Sequence, residues 1–342
     1  MEGLRSGPSS HVANTGCLSD HQAQIVAAET GPVVGESLAI SERARSYYPQ
    51  DYTLELWGAP TMIKKILVTS GVAFAALAAP LAGQAPAAAA TAPRVVNVKA
   101  LDFKFQAPAT IPAGTTTFRL QNVGKEVHHL WVVQLTGGKT PDDFTKAMKS
   151  WGSALKMPAW AIDVGGPNSA ASNETAEGTM TLEPGTYMLV CWVPSADGML
   201  HVMKGMVKPL KVTGPATAAA EPVADITMMM DDYSFDLSKP ITPGRHTIRF
   251  ENRAAQSHEA VIGRLLPDKT LAQAVTWLNA GQAGPAPIAL LGGASGLAKG
   301  RHMFITADFQ AGRYALLCFI PDAKDGKPHF DHGMVKEIVV AP

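Results

Sequence analysis

Tyr314-Ala-Leu-Leu-Cys318-Phe-Ile-Pro-Asp-Ala-Lys-Asp-Gly-Lys-Pro-His329-Phe-Asp-His-Gly-Met334 is the stretch on which the reading of this chain turns. Its counterpart is Tyr187-Met-Leu-Val-Cys191-Trp-Val-Pro-Ser-Ala-Asp-Gly-Met-Leu-His201-Val-Met-Lys-Gly-Met206. Each copy has an apolar run ending in Cys, then a loop holding Pro and Asp-Gly, then a His four residues short of a Gly-Met pair. One occurrence is weak, because a lone buried Cys is usually a small hydrophobe. Two occurrences in register make a repeat, and a repeat is settled before fold is argued.

Working outward, the repeat extends over most of the chain. Val96-Asn-Val-Lys-Ala-Leu-Asp102-Phe103-Lys-Phe105 matches Ile226-Thr-Met-Met-Met-Asp-Asp232-Tyr233-Ser-Phe235. Phe118-Arg-Leu-Gln-Asn122 matches Ile248-Arg-Phe-Glu-Asn252, and Ile111-Pro112-Ala-Gly114 matches Ile241-Thr-Pro243-Gly244. Within each copy apolar and polar residues alternate over short runs that end at Gly, Pro or Asn, which reads as half-buried strands. Many short strands joined by such turns predict an all-β fold, with each copy a Greek-key sandwich or barrel. Each copy also carries one helical insertion, starting at Pro141 in the first and running from Asp268 to Ala280 in the second. The domains expected are residues 93–214 and 222–342, joined by the short Ala-rich segment Gly214 to Glu221. Of Met228 to Met230, on a predicted strand, only alternate members can face the core.

Cys, His and Met are the donor types that suit copper in a trigonal site with a weak axial thioether. A second imidazole is available in each copy. His128 follows Asn122 after five residues and heads the apolar strand Leu130 to Leu135; His258 stands in the same relation to Asn252. Strand alternation puts His128, Leu130 and Val132 on one face, which leaves His129 on the other, where the second copy has Glu259. The repeat therefore selects His128 over its neighbour. Met199 and Met203 flank His201 and suit either soft donors to Cu(I) or core gap-fillers. His332 matches Lys204 and reads as a surface residue or an alternative ligand.

The Asn–five residues–His strand, the Gly-x-Tyr-x-x-x-Cys strand and the His–four residues–Met loop resemble the cupredoxin family, the blue copper proteins such as plastocyanin. The resemblance spans roughly Val95 to Val212 and again Val223 to Val340, as two tandem plastocyanin-like domains. It implies one copper set of His128, Cys191, His201 and Met206, and a second of His258, Cys318, His329 and Met334. Nine residues separate Cys191 from His201 and ten separate Cys318 from His329, where the family usually has only a few. Such a loop is entropically cheap, each doubling of length costing about 0.6 kcal/mol. Its Pro and Asp-Gly favour a turn that returns the His.

Met62-Ile-Lys-Lys, an apolar run to Ala79 and a small-residue exit have the layout of a secretory signal peptide, with residues 62–92 as signal and Ala-rich linker. Residues 1–61 read as a disordered extension or as sequence upstream of the true start, and the signal peptide would place the protein in the periplasm or outside the cell. Lys plus Arg equals Asp plus Glu, 29 each, so no nucleic-acid partner is expected. No stable membrane span is expected after signal cleavage. Three cysteines are too few for a disulfide framework. The expected function is single-electron transfer with one copper per domain and an unidentified redox-partner protein. A copper carrier or buffer and a metal-free cupredoxin-like binding module are the alternatives. No His-x-His pair occurs anywhere, so an interdomain copper enzyme is not expected.

Overall fold

Period-two alternation becomes pleated strand wherever one face can be buried. In the computed structural model, which describes residues 91–150, 157–217, 219–279 and 284–342, nearly every alternating run does so. The extension 1–61, the signal-peptide stretch up to Ala90 and Cys17 lie outside the described residues. All described residues fall within one unit, Leu81–Pro342.

The first repeat contributes β1 (Arg94–Leu101), β2 (Lys104–Gln106), β3 (Thr110–Asn122), β4 (Trp131–Leu135), β5 (Ala161–Gly165), β6 (Thr175–Leu182), β7 (Gly185–Val190) and β8 (Val207–Thr217). The second contributes β9 (Ile226–Asp231), β10 (Ser234–Leu237), β11 (Gly244–Asn252), β12 (His258–Leu265), β13 (Ile288–Leu297), β14 (His302–Phe309), β15 (Gly312–Leu317) and β16 (Val335–Val340). The same pairing is made twice. β1 lies parallel to β3 and β3 antiparallel to β6, as β9 does to β11 and β11 to β14. The order β8-β7-β4-β5 is repeated as β16-β15-β12-β13. The result is an all-β sandwich, as expected.

The two halves are stitched at two places. Phe304 of β14 pairs with Thr179 of β6, and Leu297 of β13 pairs with Val164 of β5. Past that second pairing Pro167 bridges Ala294, with Asn168 N–H donating to the Gly293 carbonyl and Ser295 N–H to the Gly166 carbonyl. Matching residues meet head to head, so the junction has a local quasi-two-fold character. Gly166 (φ 139°) and Gly293 (φ 135°) are required there: a Cβ would lie 1.8 Å from the Leu130 carbonyl oxygen and 1.9 Å from that of Ala260, respectively.

Two details differ from the sequence reading. β8 continues to Thr217, which pairs with Gly114, so the first part of the expected connector is strand. The second helix, α2 (Leu271–Asn279), starts later than Asp268 because Asp268 has φ 61° and cannot enter a right-handed helix. Its start is fixed by Thr270 and Gln273, which cap each other reciprocally. Thr140 and Asp143 do the same for α1 (Pro141–Ser150). Met228 and Met230 are buried on one face of β9, as alternation requires. Met199 and Met203 are about half exposed, so they fill no gap in the core.

Candidate metal centre

Each site is assembled by short-range devices that the motifs encode. Asn122 donates through Nδ2 to the Glu126 and Ala170 carbonyls and accepts the Gly124 N–H, shaping the five-residue loop that delivers His128. Asn252 holds Gln256, Leu297 and Ala254 in the same way ahead of His258. Tyr187 donates its O–H to the Glu183 carbonyl and Tyr314 to that of Gln310, fixing the corner before each Cys strand. The long Cys-to-His loops are not slack. Isolated bridges close their necks (Pro194 with Leu200, Pro321 with Pro328), and His201 N–H and His329 N–H donate to the Val193 and Ile320 carbonyls. Gly205 (φ 103°) and Gly333 (φ 96°) then turn the chain so that Met206 N–H and Met334 N–H reach the carbonyls of His201 and His329.

These devices bring together three of the residues singled out in each half: His128, Cys191 and His201 in the first, and His258, Cys318 and His329 in the second. His128 Nδ1 and His201 Nδ1 are 3.0 Å apart, and Cys191 Sγ lies 3.4 Å from the second and 3.9 Å from the first. In the other half the separations are 3.1, 3.4 and 3.9 Å among His258 Nδ1, His329 Nδ1 and Cys318 Sγ. Cys191 N–H donates to the Met206 carbonyl and Cys318 N–H to the Met334 carbonyl. Those six residues and both methionines are fully buried.

The donor sets fit a metal ion in two ways. A point equidistant from the three donor atoms lies about 2.0 Å from each, close to the ~2.0–2.3 Å of imidazole and thiolate bonds to a first-row metal. The tautomers agree. His128 Nε2 faces Asp102 (3.2 Å) and His201 Nε2 faces Glu126 (2.9 Å), so a carboxylate claims the proton on each Nε2 and both Nδ1 lone pairs point inward. Two facing lone pairs repel unless a cation lies between them. In the second half His258 Nε2 meets Asp232 at 3.0 Å. His329 Nε2 is buried without a hydrogen-bond partner, 3.8 Å from Asp322.

Burial sets the electrostatics. It pushes the Cys191 thiol up to about 12, and the Cys318 thiol is raised for the same reason, so both stay protonated unless a cation displaces the proton. Burial also lowers His128 and His258, and takes His329 down to about 4 with help from neighbouring His258. His128, His258 and His329 are therefore neutral at physiological pH and ready to ligate. Two imidazoles and a thiolate in this arrangement suit a first-row transition metal.

Sequence reasoning passed over the residues behind the ligands. Asp102 and Asp232 sit just before Phe103 and Tyr233, whose left-handed backbones (φ 65° and 66°) set their rings edge-on to His201 and His329. The matched Asp-aromatic pair was visible in the repeat. His332 is exposed and bonds Asp325 at 3.1 Å, and its donor atom and those of Asp322 and Asp325 lie within 4.8 Å of one another, so its position fits a surface residue and an alternative ligand alike. His129, set aside as facing away, is buried.

No protein-family model matches the chain, and no curated protein does. Among solved structures, auracyanin A, a blue copper protein from Chloroflexus aurantiacus, is 26% identical over 35% of this chain and 99% of its own, with a TM-score of 0.26. A copper-containing nitrite reductase from Thermus scotoductus is 12% identical over 72% of this chain and 61% of its own, with a TM-score of 0.20. A blue copper oxidase from Nitrosomonas europaea is 12% identical over 72% of this chain and 86% of its own, with a TM-score of 0.22. The expectation that the chain is no enzyme is corrected by these last two. Enzymes stand among the structures it resembles, so neither the fold nor the missing His-x-His pair excludes catalysis. Among the described residues no helix is long and apolar enough to cross a membrane.

Proposed function

We propose that each half is a cupredoxin-like domain, residues 93–214 and 222–342, and that each holds one copper ion. His128, Cys191, His201 and Met206 would bind the first and His258, Cys318, His329 and Met334 the second. The observation that supports this is the pair of matching triangles of Nδ1, Nδ1 and Sγ atoms, each buried and of metal-binding size. When bound, copper supplies a one-electron couple. The chain holds His128, His201 and His258 in one tautomer through Asp102, Glu126 and Asp232, excludes water through full burial, and ties down the cage through the bridged loops. Single-electron transfer to and from a partner protein, in the periplasm or outside the cell, is the function this cage serves best.

Copper stoichiometry and the visible spectrum of the purified chain test the reading. Two coppers per chain and a strong Cu–thiolate band are expected; a copper-free protein after reconstitution would end it. A second reading, delivery of copper to another protein, draws on the exposed thioethers of Met199 and Met203 beside His201. A reversible one-electron couple at both sites favours electron transfer over delivery.

A further inference from the structure

Three buried polar side chains lie where the halves meet, and neither site uses them as ligands. They are His129, Asn168 and Glu259, exposed by 5%, 1% and 4%. Trp192 N–H donates to His129 Nε2 at 2.8 Å, which leaves the imidazole proton on Nδ1. Asn168 lies beside the same imidazole and interacts with it electrostatically. Its Nδ2 donates to Glu259 Oε2 at 2.8 Å and to the Ala294 carbonyl at 3.3 Å, and its Oδ1 accepts the Ser169 hydroxyl at 3.0 Å. Glu259 Oε1 accepts the Phe319 N–H at 3.1 Å, and the Glu259 N–H donates to Cys318 Sγ at 3.5 Å. Trp192 and Phe319 are the residues that follow Cys191 and Cys318. A line of buried polar side chains, hydrogen-bonded at both ends, therefore joins the backbone beside one cysteine to the backbone beside the other.

Burying an imidazole, an amide and a carboxyl together is costly unless every group is satisfied, and apolar side chains would fill the same junction without that cost. A satisfied network is rigid and lies in a low-dielectric interior. Its endpoints are not arbitrary: the two repeats place His129 and Glu259 at equivalent positions, each directly after a site histidine, and Asn168 crosses the junction between them.

We propose that the His129–Asn168–Glu259 line is the path over which the two sites exchange an electron. This rests on the reading that both sites hold copper. One electron leaves one site and arrives at the other, so one is oxidised as the other is reduced. No bond is made or broken, no proton leaves the line and no co-reactant enters.

The test uses the full chain loaded with copper, with Cys191→Ala and Cys318→Ala variants supplying the spectrum and potential of each site alone. After a brief one-electron reduction, the absorbance shift between sites gives the equilibration rate. His129→Leu, which removes the acceptor for Trp192 and the polar neighbour of Asn168, should slow it several-fold while both coppers, their bands and their potentials remain. His129→Gln keeps an acceptor for Trp192 and a polar neighbour for Asn168, and should restore the rate. In the metal-free protein the Trp192 amide should exchange with solvent faster in His129→Leu than in His129→Gln. Should His129→Leu fold poorly, Asn168→Ser breaks the line with a smaller polar side chain and should show the same slowing. An unchanged rate with both coppers in place overturns the inference and leaves the copper reading intact. Loss of copper from either site in these variants overturns it too, by assigning the line a merely structural role. Absence of copper from the unaltered chain would instead remove the reading on which the inference stands.

Discussion

The two candidate sites draw on the same residue types, two His, a Cys and a Met, with the Cys-to-His loop one residue longer in the second, yet different side chains stand behind their second imidazoles. In the first, Glu126 accepts directly from His201 Nε2, and a third of its side chain is open to solvent. In the second, position 256 is Gln, and the carboxylate comes from the other side of the site, from Asp322, where the first has Ser195. Asp322 is buried and does not reach His329; it accepts instead from Tyr233 and from Gln256 Nε2. Lys204 pairs with Asp197 and lies over the Phe103 ring, whereas His332 pairs with Asp325 and packs on Tyr233. The ligands are thus duplicated while their support has diverged. Outer partners orient the ligating His and tune its basicity, so two sites with one ligand set should behave unequally.

The largest effect should come from the cysteines, where the comparison predicts symmetry. Cys191→Ala and Cys318→Ala should each leave one copper per chain, and the double variant none, read by metal analysis after gel filtration. Loss of both coppers from one single variant would show that the sites are not independent.

Next comes the carboxylate that touches an imidazole. Glu126→Gln should weaken copper at the first site by roughly 10- to 100-fold, the range found for outer partners of ligating histidines, and leave the second unchanged. Removing the negative charge should also raise the first site's reduction potential, since a nearby carboxylate favours the more positive oxidised state. Competitive titration and voltammetry read the two effects. Equal weakening at both sites would dissolve the distinction drawn here.

Acid should expose a further asymmetry in the metal-free protein. His329, held down to about 4 by burial and by His258, stays neutral in the fold while an unfolded imidazole takes up a proton near ~6.5. Between those values the unfolded chain binds more protons, so stability falls as pH drops from about 6.5 towards 4. Urea midpoints at pH 7 and pH 5 should show the loss, and copper loading should oppose it.

Much of this architecture was legible in the sequence because it is written twice. Cys, His and Met at fixed spacing, the Asn that shapes the loop before the first His and the Tyr that fixes the corner all recur, and each acts over a few residues. What escaped acts over long separations. His201 meets Glu126 across 75 residues and Asn168 meets Glu259 across 91, so no local pattern announces either contact. His129 was discounted because alternation turns it away from the ligand face. That inference about direction holds, but the other face of the strand is covered by the second half, which one repeat read alone cannot reveal. The late start of α2 had a visible reason in Thr270 and Gln273, a capping pair three residues apart.

The smallest expected effect is the most discriminating. Tyr233→Phe copies into the second site the ring that the first already has at Phe103. It deletes the O–H that contributes most to holding Asp322 well below the usual carboxylate range, with Gln256 and the Lys324 N–H left as donors. The lost hydrogen bond should cost about 1 kcal/mol of stability, since two other donors still satisfy the carboxylate. It also frees Asp322 Oδ2 to close the 3.8 Å gap to His329 Nε2, which has no other partner. The second site would then acquire the carboxylate–imidazole contact that distinguishes the first, so its reduction potential should fall and its copper affinity rise modestly. Phe103→Tyr should do neither, because Ser195 offers no carboxylate to release. If instead the two substitutions shift their own sites equally, the ring itself and not the carboxylate behind it sets the difference between the halves.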